Sequence, residues 1–143
     1  MENGLPEEKP IKLLAISASP RKNGNTQFIL EKAVECMEDQ KFPVELITYS
    51  FAGKKMESCM GCLACYKNGG NCVIKDSFET IRKLWKEADC ILYCTPVYVA
   101  GIPGQLKNFI DRLSNADYGM DIGGTRHMKT IGVIAQGGDF FGG

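Results

Sequence analysis

The sequence has little of what a nucleic-acid-binding, membrane or secreted protein needs. Its 17 lysines and arginines are balanced by 17 aspartates and glutamates. With no long run of either sign, it carries no electrostatic footprint for nucleic acid or an anionic membrane. No apolar stretch is long enough to span a bilayer. The opening MENGLPEEKP is acidic and proline-containing where a secretory signal would be basic and then apolar. The single histidine, His127, has no evident acidic partner, so no Ser/His/Asp or Cys/His arrangement can be argued and it is assigned no role. G-x-G-x-x-G and G-x-x-x-x-G-K-[ST] are both missing, which argues against a dinucleotide cradle and against an NTPase P-loop. Internal repeats and low-complexity tracts are missing too.

What the chain does hold is seven cysteines in 143 residues. In a small secreted protein they would read as disulfides. Here there is no export signal, and a chain of this length buries roughly two thirds of its unfolded surface, enough for one core without staples. A single domain over residues 1–143, a reducing cytoplasm, and a metal or redox use of the thiols are the expectation. The partner is then a small molecule or another redox protein.

Along the chain, apolar runs alternate with helical periodicity. IKLLAI (Ile11 to Ile16) reads as a buried parallel strand. From Thr26 a helix follows, with Asn25 as N-cap and Ile29, Leu30, Ala33, Val34 and Met37 on its apolar face. Val44 to Tyr49 is a second strand, and a long cysteine-bearing loop, residues 51–75, is inserted after it. Asp76 as N-cap with Glu79 three residues on matches a capping box, opening a helix with Phe78, Ile81, Leu84 and Ala88 inward. Cys90 to Thr95 is a third strand. In the next helix Leu106, Phe109, Ile110 and Leu113 form the buried stripe, with Lys107, Asp111 and Arg112 facing out. Thr130 to Ala135 is a fourth strand.

This alternation implies right-handed βαβ crossovers and a mostly parallel sheet. Strand orders 2-1-3-4 and 3-2-1-4 are both available. The loops favour the first, because its switch point lies between the loops after strands 1 and 3, the two most unusual in the chain. Loop one, SASPRKNGNT, offers hydroxyls at Ser17, Ser19 and Thr26, the charge of Arg21, and the free N–H groups of the following helix, a combination suited to a monophosphate. Alternatively it is an ordinary capped turn. Loop two, PVYVAGIPG, is stiffened by two prolines and two glycines and can line one side of a flat aromatic ligand, or serve as a rigid connector with Tyr98 in a mini-core.

Taken together, SASPRKNGNT, then TPVYVAGIPGQLKNFIDR, then a strand leading into AQGG, resemble the iron–sulfur flavoprotein and NADPH-dependent FMN reductase branch of the flavodoxin-like superfamily over Ile11 to Gly138. The resemblance implies an α/β fold, a flavodoxin-like three-layer αβα sandwich with a parallel sheet of order 2-1-3-4. It also implies FMN, with Ser17, Ser19, Arg21, Asn23, Asn25 and Thr26 at the phosphate, Pro96, Val97 and Tyr98 at the ring, and Gln136, Gly137 and Gly138 completing the ring site. Relative to the family's five strands the chain is C-terminally truncated at Gly143. The face shared with the first helix should then be half bare and strand 4 an open edge. The expectation is a fragment or a homo-oligomer, dimer or tetramer.

The third feature is Cys59-Met-Gly-Cys62-Leu-Ala-Cys65 with Cys72 seven residues on. Three thiols at three-residue spacing plus a fourth suit a [4Fe–4S] cluster. Zinc, which usually takes paired C-x2-4-C knuckles across a wider gap, and free redox thiols are the alternatives. The motif also matches the compact cysteine signature of iron–sulfur flavoproteins. Cys36, Cys90 and Cys94 read as small buried hydrophobes. The reading is therefore an FMN-dependent oxidoreductase that passes electrons from ferredoxin or NAD(P)H to a small acceptor, with phosphate cradle, ring slot and thiolate cage gathered on one rim of the sheet. The alternatives are a cluster-free NAD(P)H-dependent FMN or quinone reductase and a zinc-stabilised binding module.

Overall fold

Apolar runs with no polar alternation need cover on both faces, and the structure supplies it. The computed structural model describes residues 9–38, 42–118 and 129–138. Strands β1 (Ile11–Ser17), β2 (Val44–Ser50), β3 (Cys90–Pro96) and β4 (Thr130–Gln136) form one sheet of order β2-β1-β3-β4, every pair parallel. The predicted order is the observed one. Along β1, Leu14 and Ile16 face one core and Ala15 the other, all fully buried.

Helix α1 (Asn25–Glu38) covers one face, where Leu30 packs with Ala15, Leu92 and Cys94. Helices α3 (Phe78–Glu87) and α4 (Gly104–Tyr118) cover the other, placing Phe78, Ile81, Leu106 and Phe109 against Leu14, Ile16, Ile91 and Tyr93. Phe109 sits between Phe51 and Phe78, with ring centroids 6.0 and 5.9 Å away.

Several local expectations are corrected. Asn25 is the first residue of α1, not its cap; the Gly24 carbonyl accepts from Gln27 and Phe28 N–H. The capping box does not form as expected: Ser77, not Asp76, stands at the N-cap of α3, Asp76 still accepts from Phe78 N–H at 3.0 Å, and Glu79 turns to Cys72 N–H at 2.9 Å and to Arg82 at 3.1 Å. Ile110 is exposed and Arg112 is buried, the reverse of the stripe prediction. Arg112 turns inward because Asp76 waits there, 2.6 Å from its guanidinium. The cysteine loop contains a short helix, α2 (Ala64–Lys67), closed by Gly69 and Gly70 at φ 58° and 81°, where a side chain would be strained. Cys94 is buried as expected, whereas Cys36 is exposed. The bare surface also differs. Among the described residues β4 is an edge strand, but its exposed Ile131 and Val133 continue the Ile91–Tyr93 side of the sheet, opposite α1. His127 lies outside the described residues. Among those residues no helix is long and apolar enough to cross a membrane.

Candidate functional site

Because β1 and β3 are adjacent and parallel, the loops that follow them leave the same rim. Backbone bonds fix the rim: Ala18 N–H donates to Cys94 O at 2.8 Å, Phe51 N–H to Ser17 O at 2.9 Å, and Val97 N–H to Gln136 O at 2.9 Å. The end of β4 is thus tied to the start of the second loop.

In the first loop Ser17, Ser19 and Thr26 are buried, while Arg21, Asn23 and Asn25 are exposed. Ser19 Oγ accepts from Arg21 N–H at 3.1 Å, and Asn23 holds a left-handed φ of 53°. The buried Ser17 Oγ has no hydrogen-bond partner among the described residues. A buried hydroxyl left unpaired is costly, and this one stands where β1 gives way to the loop that leads into α1. In the first turn of α1 the Gln27 and Phe28 N–H groups bond the Gly24 carbonyl, and the helix offers no acceptor to those of Asn25 and Thr26 before them. An anion there would satisfy both, so the loop fits the phosphate of FMN in kind.

In the second loop Pro96 is buried, Val97 half-buried and Tyr98 exposed. Tyr98 and Gly101 exchange N–H to C=O bonds of 2.8 and 3.0 Å around Val99 and Ala100, which take φ of 48° and 58°. Both central residues left-handed makes a type I′ turn, a geometry that favours Asn-Gly. Val99 is 97% exposed, so nothing packs against it. Replacing the pair (Val99→Asn with Ala100→Gly) is expected to raise unfolding free energy by about 1 kcal/mol by relieving this strain. Urea denaturation checks it. Gln136 is half-buried at the end of β4; Gly137 and Gly138 are exposed just beyond.

The four motif cysteines line one partly enclosed cavity with Arg112 and Asn115 of α4. Cys62 is exposed and the other three are half-buried. Cys59 Sγ accepts from Gly61 N–H at 3.5 Å and from Asn115 Nδ2 at 3.7 Å, and the Cys65 thiol donates to Asn115 O at 3.6 Å. Among the described residues no three His, Cys, Asp or Glu side chains converge closely enough to hold a metal ion. By donor chemistry, four thiols on one cavity with N–H groups directed at sulfur, the set fits an iron–sulfur cluster.

The thiols do not share the rim with the two loops, contrary to the placement expected from the sequence. Asn115 lies three turns beyond Gly104, about 16 Å along α4 from the helix end that meets the second loop. The cavity therefore opens on the flank of the domain.

Arg112 and Asp76 complete this flank. Burial works against charge on both, yet each is held charged by the other: the Asp76 carboxyl stays below its usual range through bonds from Arg112, Glu57 N–H and Phe78 N–H. Burial likewise opposes the Arg112 charge, but Asp76 and the neighbouring Cys72 thiol raise its pKa. Sequence periodicity missed this pair. The signal available was an acidic helix start and an arginine late in the next helix, too far apart in sequence to be linked by spacing.

A parallel sheet of order 2-1-3-4, helices on both faces and a buried hydroxyl at the switch-point rim define a flavodoxin-like α/β domain. Comparison places it more narrowly. Residues 11–143 match the family model described as NADPH-dependent FMN reductase, and the chain belongs to that family. It is 36% identical over 133 residues to an iron–sulfur flavoprotein of Methanocaldococcus jannaschii, covering 93% of this chain and 65% of that one. It is equally 36% identical over 134 residues to an iron–sulfur flavoprotein of Archaeoglobus fulgidus, covering 92% and 64%. The chain thus spans just under two thirds of the length of these two relatives. Among solved structures, an NAD(P)H:quinone oxidoreductase from Methanothermobacter marburgensis shares the fold at a TM-score of 0.66 and 14% identity, over 90% of this chain and 66% of that one.

Proposed function

We propose that the chain is an FMN-dependent oxidoreductase of the iron–sulfur flavoprotein type, taking electrons from NAD(P)H or ferredoxin and delivering them to a small acceptor or another carrier. The observation that carries the flavin reading is the orphaned, buried Ser17 hydroxyl at the rim before α1. Ser17, Ser19, Arg21, Asn23, Asn25 and Thr26 would hold the phosphate, with Arg21 as the only cationic side chain of that set. Pro96, Val97 and Tyr98 would border one side of the ring and Gln136, Gly137 and Gly138 the other. Two-electron uptake with one-electron release is the chemistry a flavin supplies in such a site. The chain's own work is to orient the ring on a rim pinned by backbone hydrogen bonds and to keep water from its buried side.

Cys59, Cys62, Cys65 and Cys72 would hold a [4Fe–4S] cluster as thiolates. Iron–sulfur flavoprotein relatives at 36% identity support this part. The competing reading, a cluster-free reductase, is favoured by the absence of three converging metal ligands among the described residues. One visible spectrum of anaerobically purified protein, with iron and sulfide assays, separates them. Flavin bands over a brown shoulder support the proposal, flavin bands alone support the cluster-free reductase, and a colourless protein sinks both. None of the seven cysteines is joined in a disulfide, which suits a reducing cytoplasm.

Ser17→Ala tests the phosphate assignment. Without flavin, unfolding free energy should be unchanged or slightly higher, because an unpaired buried hydroxyl is removed. FMN affinity should fall roughly tenfold or more, since a hydrogen bond to a charged phosphate is lost. Fluorescence titration against urea unfolding distinguishes the two effects; unaltered FMN affinity would remove Ser17 from the site.

A further inference from the structure

Helix α4 carries Asn108, Arg112 and Asn115 at spacings of four and three, which puts them on one helical face. That face grips the cysteine loop along its length. Asn108 Nδ2 donates to Met56 O at 2.8 Å and its Oδ1 accepts from Ser58 Oγ at 3.1 Å. Arg112 donates to Glu57 O at 3.3 Å, before the first cysteine, and to Ile74 O at 3.2 Å, after the last. One guanidinium therefore joins the two ends of the loop. Asn115 touches two of the thiols: its amide donates to Cys59 Sγ and its main-chain carbonyl accepts from Cys65.

From this we infer that Asn115 is a positioning residue of the four-thiol site, directing the Cys59 sulfur into the cavity by hydrogen-bond donation. The inference rests on reading the four cysteines as one metal–thiolate site. An N–H donor at sulfur fixes the direction of that sulfur, the outer-shell role that sustains metal affinity elsewhere. Because the Cys65 contact is made by the main chain, it survives any side-chain substitution; what a substitution removes is the amide's bond to Cys59 Sγ and its 2.9 Å bond to the Asp111 carbonyl of the same helix.

The test is an anaerobic cobalt(II) titration of the full chain, read by thiolate-to-cobalt charge-transfer absorption. The parent should bind with strong charge transfer. Asn115→Ala and Asn115→Leu both remove the amide, but the leucine keeps the volume. Both should weaken cobalt binding 10- to 100-fold, with lower charge-transfer intensity per bound ion, while their metal-free urea midpoints match the parent. Parent-like binding in both variants, or in the leucine variant alone, overturns the inference and leaves the four-thiol reading standing. Loss of binding that tracks a drop in midpoint shows a scaffold role only and also overturns it. A parent with no charge-transfer band overturns the four-thiol reading itself, and the inference with it.

Discussion

Arg112→Met is expected to lower the free energy of unfolding by about 3–5 kcal/mol, a large part of the 5–15 kcal/mol typical of a domain. Side-chain exposure in the Arg112–Asp76 pair is 1% and 0%, and the N–O distance is 2.6 Å. The guanidinium also stacks 4.2 Å over the Phe78 ring. Methionine restores most of the packing but leaves Asp76 buried with two backbone N–H groups as its remaining hydrogen-bond donors among the described residues. Adding Asp76→Asn should recover much of the loss, because a buried pair removed together costs far less than one partner removed alone. Urea denaturation followed by the fluorescence of the single tryptophan, Trp85, reads all three proteins. A single variant as stable as the parent would refute the account of this pair.

The pair also sets a pH dependence. Asp76 is held below its ordinary carboxylate value in the folded chain, despite burial, by Arg112 and two N–H donors. A depressed folded pKa contributes stability that is fully present above the unfolded value, near 4, and is lost as pH falls through the lower folded value. The parent should therefore weaken in acid below about pH 4. The deficit of Arg112→Met should narrow over the same range, since a protonated Asp76 needs no cation.

Why the sequence concealed this pair, yet showed the sheet, is a matter of range. IKLLAI and CILYCT read as strands because parallel strands are covered on both faces and so appear as unbroken apolar runs. The strand order followed from where the two unusual loops had to meet. Periodicity puts Arg112 outward because it sees only one helix, and a charge beside Lys107 and Asp111 looks solvated. Its partner is 36 residues away, on the far side of a β-strand. Glu79 left the capping box for Cys72 N–H for the same reason: a tertiary donor outcompeted the local one. The thiols were expected on the rim because spacing shows that cysteines cluster, not where a 25-residue loop carries the cluster. Asn108 and Asn115 help set that path, but polar residues at helical spacing carry no signal of it in the sequence.

The flank position of the thiols makes the cysteine and flavin readings separable, and Cys62→Ser exploits this. Cys62 is exposed, so its replacement removes a thiol without removing core packing. The proposed cluster requires four thiolates. Iron and sulfide should therefore fall from about four of each per chain toward zero, and the brown absorbance with them. FMN should remain bound at parental affinity, because the rim loops lie about 16 Å along α4 from the cavity. Cys36→Ser, on exposed α1 surface, should leave both cofactors unchanged. Iron content that survives Cys62→Ser would remove that residue from the ligand set. Flavin lost in step with the iron would instead mean that the loop and the rim fold as one unit, and that the separation measured along the helix does not isolate the two sites.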